Sequence, residues 1–433
     1  MRNLSLFSFL SLVVFALVIV SSCKKDNKDE DITTVKKLTI GVVLPLDLEK
    51  GLLRQNALTL AVNEINAAGG VGSDYEIDLL IKSSAGQNRE EAAAQAARQI
   101  IDESTNLVGF ISCFSSSSLG IVNQISIPDQ YPTLSGAATS EALNGISTYF
   151  QRLCPPDNYQ AQVLSDQAIT YGLSKVAIAV EAGDAYSSGL AASFQDAFGN
   201  GSEVMVNFSP DDPNYTDKIN QLLEGDPDAV FVSMLNPASY NTFFTHLDQL
   251  NKGLALEDIT FILCDALYSD NLFQSPISYL TGEVNGHPKN FGTLPSADTS
   301  TSEYIYFKNR LMEKYQQDVA SYNAQFFDAG YLFALALEKS FMETDISDIA
   351  SFRETLKEQI RMVSHGETGA IEVSAPMGWN TMKSNCAGSN INYTGASGNC
   401  DIDDEGNTQT AYAVFKVTEN GGSYAFEILK IVP

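Results

Sequence analysis

Hydroxyl, small and acidic side chains gather at four points in the chain, each directly after a short apolar run of strand-like composition. After 107–112 comes Cys113-Phe114-Ser115-Ser116-Ser117-Ser118-Leu119-Gly120. Hydroxyls that open a helix offer O–H groups, free backbone N–H groups and the positive end of the helix dipole, which suits a carboxylate or another small anion. Simple N-capping with surface serines would leave the same pattern. After 131–134 comes Ser135-Gly136-Ala137-Ala138-Thr139-Ser140, where small residues let the backbone approach a ligand and Thr139 adds a hydroxyl; a tight turn with a cap is the plainer reading. After 176–180 comes Asp184-Ala185-Tyr186-Ser187-Ser188-Gly189, in which Tyr186 either closes over a ligand or covers the sheet edge. After 260–263 comes Cys264-Asp265-Ala266-Leu267-Tyr268. Asp265 at a strand end is placed to pair with an ammonium group, or to cap a helix. Ligands of open α/β sheets bind outside the carboxyl ends of the strands. An anion acceptor, a hydroxyl, an aromatic lid and a carboxylate facing one cleft would fit a zwitterion such as an amino acid.

Catalytic and metal chemistry find little support. There is no G-x-S-x-G elbow, H-E-x-x-H pair or G-x-x-x-x-G-K-[ST] loop. The three histidines, His246, His287 and His365, are too far apart in sequence for metal-ligand spacing. Asp401-Ile402-Asp403-Asp404-Glu405-Gly406 resembles the start of a calcium loop, but Tyr412 stands where a bidentate Glu is needed, so a solvated turn is favoured. No cofactor and no metal are expected, and an enzyme is the weakest reading.

With 433 residues, 26 Lys+Arg and 53 Asp+Glu, the chain has a net charge of −27. Such acidity repels phosphate backbones and anionic membranes and argues against nucleic-acid binding. The N-terminus reads as an address: Met1-Arg2, an apolar stretch from Leu4 to Val20, then Val20-Ser21-Ser22-Cys23. Small residues before a cysteine resemble a bacterial lipobox, and the apolar stretch is shorter than a membrane span needs. Residues 1–22 are therefore expected to be a signal peptide and Cys23 the lipidated first residue. The charged run 24–31 lies within a tether over 23–37, and the protein would be lipid-anchored on the periplasmic side of a bacterial membrane or at the cell surface. Cys386 and Cys400 bracket a Gly/Ser/Asn-rich stretch and are expected to form a disulfide; Cys113 and Cys264 end apolar runs and read as buried thiols.

Behind the four junctions the pattern alternates strand and helix. Strands are expected at 38–44, 77–81, 107–112 and 131–134, with helices at 55–68, 90–103 and 115–125. The alternation restarts with strands at 176–180, 203–208, 228–232 and 260–263 and helices at 188–198, 215–223 and 240–250. Long helices at 303–317 and 324–342 follow, then a β-hairpin over 411–431. Two runs of β/α units imply an α/β fold of two lobes, each a mostly parallel sheet flanked by helices.

The quoted junctions, together with Leu38-Thr39-Ile40-Gly41-Val42-Val43-Leu44-Pro45 and Ala61-Val62-Asn63-Glu64-Ile65-Asn66-Ala67-Ala68-Gly69-Gly70, resemble the Leu/Ile/Val-binding protein family. Phe150-Gln151-Arg152, 226–232, Phe327-Asp328-Ala329 and Gly395-Ala396-Ser397-Gly398 extend the resemblance to the end of the chain. It implies an ABC-transporter solute-binding protein of the type I periplasmic-binding fold, with three crossovers at the hinge and an ABC permease as partner. Lobe 1 would take 38–152 and 286–398, with an inserted loop at 378–394; lobe 2 would take 153–285 and 399–433. Ser115 or Ser116 matches the serine that binds the ligand carboxylate, Ala137 (through its carbonyl) and Thr139 the residues around the amino group and carboxylate, Tyr186 the aromatic of the second lobe, and Asp265 the acid that pairs with the ammonium. The chain departs from the family at 46–51, at Cys113 and at Leu235-Asn236-Pro237. In the family these departures fall mostly on the parts that recognise the ligand side chain, so the resemblance does not imply branched-chain specificity. Lys50, beside the cleft, reads as a surface lysine; turned inward it would favour an acidic or amide-containing ligand. A ligand-sensing receptor of the same fold is the alternative to transport.

Overall fold

The computed structural model describes residues 35–432, apart from Gln87, Glu203 and 251–255. The expected signal peptide, Cys23 and most of the expected tether lie outside the described residues.

The first sheet begins at β1 (Lys36–Leu44), whose last seven residues are buried. Burial on both faces of a β-branched run is the mark of a parallel strand covered by helices. Helix α1 (Glu49–Ala67) leads to β2 (Tyr75–Ser83), and α2 (Arg89–Glu103) leads to β3 (Leu107–Ser112). Helix α3 (Ser115–Ile121) runs through a π turn at Val122–Ser126 into α4 (Ile127–Asp129), and β4 (Thr133–Ser135) and β5 (Phe150–Arg152) close the sheet. The strand order is β2-β1-β3-β4-β5, and every pair is parallel.

The chain then crosses to α5 (Asp157–Thr170) and the second sheet. Here β6 (Val176–Glu181), α6 (Ala185–Phe198), β7 (Met205–Phe208), α7 (Tyr215–Leu222), β8 (Ala229–Ser233), α8 (Pro237–Leu250) and β9 (Thr260–Leu263) repeat the alternation. A small hairpin of β10 (Glu283–Val284) and β11 (His287–Pro288) precedes β12 (Asn290–Ser296), which pairs in parallel with β9. This moves the expected boundary: residues 290–296 belong to the second sheet, so the second crossover follows Ser296 and not residue 285. The apolar run of β12 is broken by Gly292, Thr293 and Pro295, which hides it in the sequence.

The chain returns through α9 (Ser302–Tyr315), α10 (Asn323–Glu343) and α11 (Ile349–His365) to cover the first sheet. Helix α10 is buried nearly all round, as its near-uniform apolarity requires. Strand β13 (Ile371–Val373), helix α12 (Trp379–Gly388), β14 (Ile391–Gly395) and β15 (Gly398–Asn399) form a small third sheet unit. The stretch 378–394, expected as an inserted loop, is thus mostly a helix and a strand. A third crossover leads to β16 (Ala411–Asn420) and β17 (Ser423–Val432), which extend the second sheet antiparallel to the order β17-β16-β12-β9-β8-β6-β7.

The expected Cys386–Cys400 disulfide is corrected. Both are free, buried thiols. Cys386 on α12 donates to the Leu335 carbonyl (3.7 Å), whereas Cys400 lies beside Asp328. Leu335 and Asp328 are seven residues apart on α10, a rise of about 10 Å, so the two thiols face different turns and lie beyond disulfide reach. Cys113, Cys154 and Cys264 are also buried and free.

Candidate functional site

The carboxyl ends of the parallel strands from both sheets converge on one cleft. A cavity of about 390 Å³ is lined by residues that follow β1, β3 and β4 on one side and β6, β8 and β9 on the other. Ser115, Ala137, Thr139, Tyr186 and Asp265, named from sequence, all line it. Ser116 does not: it lines an adjoining recess of about 500 Å³ with Arg89, Glu181 and Asp184, and its buried hydroxyl lacks a hydrogen-bond partner.

Asp265 is 6% exposed and starts a short 3₁₀ turn directly after β9. One carboxylate oxygen accepts from the Tyr186 hydroxyl and from Gln160 Nε2 (3.1 Å). The other accepts from the Tyr322 hydroxyl at 2.6 Å. A carboxylate has about four acceptor sites, so these three neutral donors hold it in place and leave room for one more donor from a ligand. Burial and the Asp265 charge push both tyrosine hydroxyls well above the usual phenol range, so they remain donors. Tyr322 reaches across from the segment between α9 and α10 with a left-handed backbone (φ 66°), an unfavoured conformation for an aromatic residue that the site retains.

The opposite wall is built by a loop and a clamp. Ser115 Oγ accepts from Ser140 N–H (2.9 Å), tying the start of α3 to the segment that carries Thr139. Arg152, fully buried at the end of β5, donates to the carbonyls of Ala138 (2.8 Å) and Ser140 (2.9 Å), to Asn407 Oδ1 (2.8 Å) and to Asn144. It therefore fixes the Ala137–Thr139 backbone from behind and links it to the third crossover. Asp157, at the first crossover, is fully buried with the Thr139 hydroxyl beside its carboxylate. Burial raises its carboxyl well above the ordinary range, with the Thr139 hydroxyl opposing this and the charge on Asp265 adding to it.

Two cations on α1 complete the cavity, and one of them, Lys50, differs from expectation. The helix starts at Glu49, not at residue 55, so Lys50 and Arg54 stand four residues apart on one face and both line the cavity. Lys50 is therefore no surface lysine: it is half-buried and faces the Phe114 ring at 5.6 Å. Burial, and then the Arg54 guanidinium, lower it to about 8. Arg54 is 3% exposed, donates to Cys113 Sγ (3.0 Å) and faces the rings of Phe114 and Tyr322 at 5.3 and 5.1 Å. Gly51 lets this turn fold close to the strand end, since a Cβ there would stand 2.1 Å from the Pro45 carbonyl oxygen. Pro45 and Gly51 make the stretch look like a turn in sequence; the Lys50–Arg54 spacing was the available signal. Gln160, Tyr322 and Asp157 carried none. Tyr268 and Phe426, stacked at 4.3 Å, and Leu235 give apolar wall. The three histidines do not line the cavity.

The motifs at 327–329 and 395–398 turn out to be framework. Asp328 accepts from the Tyr393 hydroxyl, the Ala396 and Ser397 N–H groups and the Ser397 hydroxyl at 2.6–2.9 Å, locking α10 to the end of β14.

Residues 53–420 match the family described as the receptor family ligand binding region. No curated protein sequence matches the chain. Among solved structures, a leucine binding protein (LivK) from Thermotoga maritima is similar at 21% identity and TM-score 0.71, covering 91% of this chain and 98% of that one. The branched-chain amino acid transporter substrate binding protein LivJ from Streptococcus pneumoniae, in complex with isoleucine, is 18% identical with TM-score 0.67 and coverages of 91% and 100%. An ABC transporter solute binding protein from Rhodopseudomonas palustris BisB5, in complex with 3,4-dihydroxybenzoic acid, is 15% identical with TM-score 0.67 and coverages of 91% and 97%. These likenesses establish the fold as that of the type I periplasmic binding proteins, and the family match over most of the chain makes this protein a member of the receptor family ligand binding region family.

Proposed function

We propose that the protein is an extracytoplasmic, lipid-anchored solute-binding protein, without catalytic activity, that captures an amino acid or related small zwitterion between its lobes and delivers it to an ABC permease. The observation that carries this reading is the convergence of Ser115, Ala137 and Thr139 from one lobe and Tyr186 and Asp265 from the other on a single cavity. The hydroxyls suit a carboxylate, and Asp265 keeps an acceptor position for an ammonium. Lobe closure would remove water and strengthen both interactions. The lipobox at Cys23 supports the anchor.

The test is a thermal-shift screen with amino acids, amides and carboxylates, followed by calorimetry on Asp265→Asn. A ligand of the native state at a hundredfold excess over Kd adds about 2.7 kcal/mol of stability. Replacing a charge-assisted bond by a neutral one should weaken a zwitterion roughly tenfold to a hundredfold. Unchanged affinity in Asp265→Asn and Asp265→Ala would remove Asp265 from recognition. Cys23→Ala should release the protein from membranes; persistent membrane attachment would sink the anchor. The family's description as a receptor region favours one second reading, in which the closed form signals to a partner protein. Permease and ATPase genes beside this one would favour transport.

A further inference from the structure

We propose that Lys50 and Arg54 form a second anion subsite in the cleft, which takes a carboxylate on the ligand beyond the one facing the Ser115 and Thr139 hydroxyls, so that the ligand is an acidic zwitterion such as an acidic amino acid. This rests on the solute-binding reading above.

Neither cation has a carboxylate within ion-pair distance among the described residues, although the chain holds 53 acidic residues against 26 basic ones. Four acids line the same cavity, the buried Asp265 and the exposed Glu49, Asp270 and Asp318, yet none forms an ion pair with Lys50 or Arg54. Arg152 is the internal contrast: equally buried, it is surrounded by carbonyl and amide oxygens, whereas Arg54 meets a thiol and aromatic rings and keeps a buried Nε without a partner. Ring faces attract a guanidinium but accept few of its N–H bonds, so Arg54 retains donors aimed at the cavity. Burial pushes the Cys113 thiol up, so it stays neutral and offers no counter-charge. Like charges four residues apart on a helix, partly removed from water, are unfavourable alone and become favourable when an anion bridges them. Within the cavity the half-buried Lys50 and the buried Arg54 share the interior with Asp265, the one buried carboxylate among its lining residues. A ligand with two carboxylates and one ammonium complements all three.

Calorimetry on the purified full chain with L-glutamate, L-glutamine, L-leucine, succinate and benzoate tests this. Glutamate and glutamine share shape and differ in charge, so glutamate should bind at least roughly tenfold more tightly. Arg54→Gln and Lys50→Gln should each erode that preference while glutamine affinity holds, and Lys50→Arg should restore part of it. A cooperative melt of each variant shows that the fold persists. Glutamine or leucine binding as tightly as glutamate would overturn the subsite and leave the solute-binding reading standing. Binding of succinate or benzoate alone, lost in Arg54→Gln, would support the subsite and overturn the pairing of Asp265 with an ammonium. No binding of any of the five probes would overturn both.

Discussion

The charge on Lys50 is held against its surroundings, and that has a measurable cost. Arg54, Asp265, Cys264, Cys113 and Asp184 are among the charged and titratable groups around it, and burial is the larger influence. A lysine at about 8 in the folded protein and near its ordinary 10.5 when unfolded binds fewer protons in the native state between those values. The ligand-free protein should therefore gain stability as pH rises from 8 towards 10.5, by up to about 3 kcal/mol for full burial and less for this half-buried group. Lys50→Met should raise the melting temperature at pH 7 and flatten that rise; a lower melting temperature would show the lysine to be well solvated or paired. Asp157 has the opposite form. Its raised carboxyl means that the native state holds the proton more tightly, so stability falls as pH climbs above the usual carboxylate range towards the raised value. Asp157→Asn should raise the melting temperature at pH 7 by a few degrees and leave the melt near pH 4 unchanged.

At the scale of elements, β/α alternation was legible because parallel strands must be β-branched and their covering helices amphipathic. The strand ends at Ser112 and Leu263 fall where the sequence puts them. Four of the strand-end motifs led to the cavity because strand termini of an α/β fold are forced to share one edge. What escaped depends on three-dimensional closeness. Tyr322 lies far in sequence from Asp265's other partners, β12 is short and interrupted, and α1 begins inside what reads as a turn. The cysteine pair failed for the same reason: proximity in sequence was mistaken for proximity in space. Mass spectrometry under non-reducing conditions should find Cys386 and Cys400 alkylated as two free thiols after unfolding; a linked peptide would contradict the structure. Gly51→Val should displace the first turn of α1 from Pro45 and weaken any anionic ligand more than a neutral one, with a stability loss of roughly 1–3 kcal/mol from overpacking.

At the scale of the whole molecule, the lobes touch across the cleft through few polar bonds. The Tyr322–Asp265 bond is one; Ser193 Oγ, donating to Glu141 (2.6 Å), is another. Links this sparse can open and re-form, which suits the proposed capture and release of a ligand. Tyr322→Phe removes one link while keeping the ring over Arg54. It should widen the solution envelope measured by small-angle X-ray scattering without ligand, and restore compactness with saturating ligand. An envelope unchanged in both conditions would show that apolar packing alone sets the closed form.

The sheets are assembled out of chain order, and this constrains the molecule's birth. Helices α10 and α11, which complete the cover of the first sheet, come only after residue 322, and the second sheet gains β16 and β17 only after residue 410. Phe426, on the final strand, is also a wall of the cavity. Neither lobe can be completed by a nascent chain still emerging, so a growing polypeptide spends most of its synthesis unable to bury its core. A chain cut before residue 411 lacks two strands of the second sheet and the Phe426 wall of the pocket.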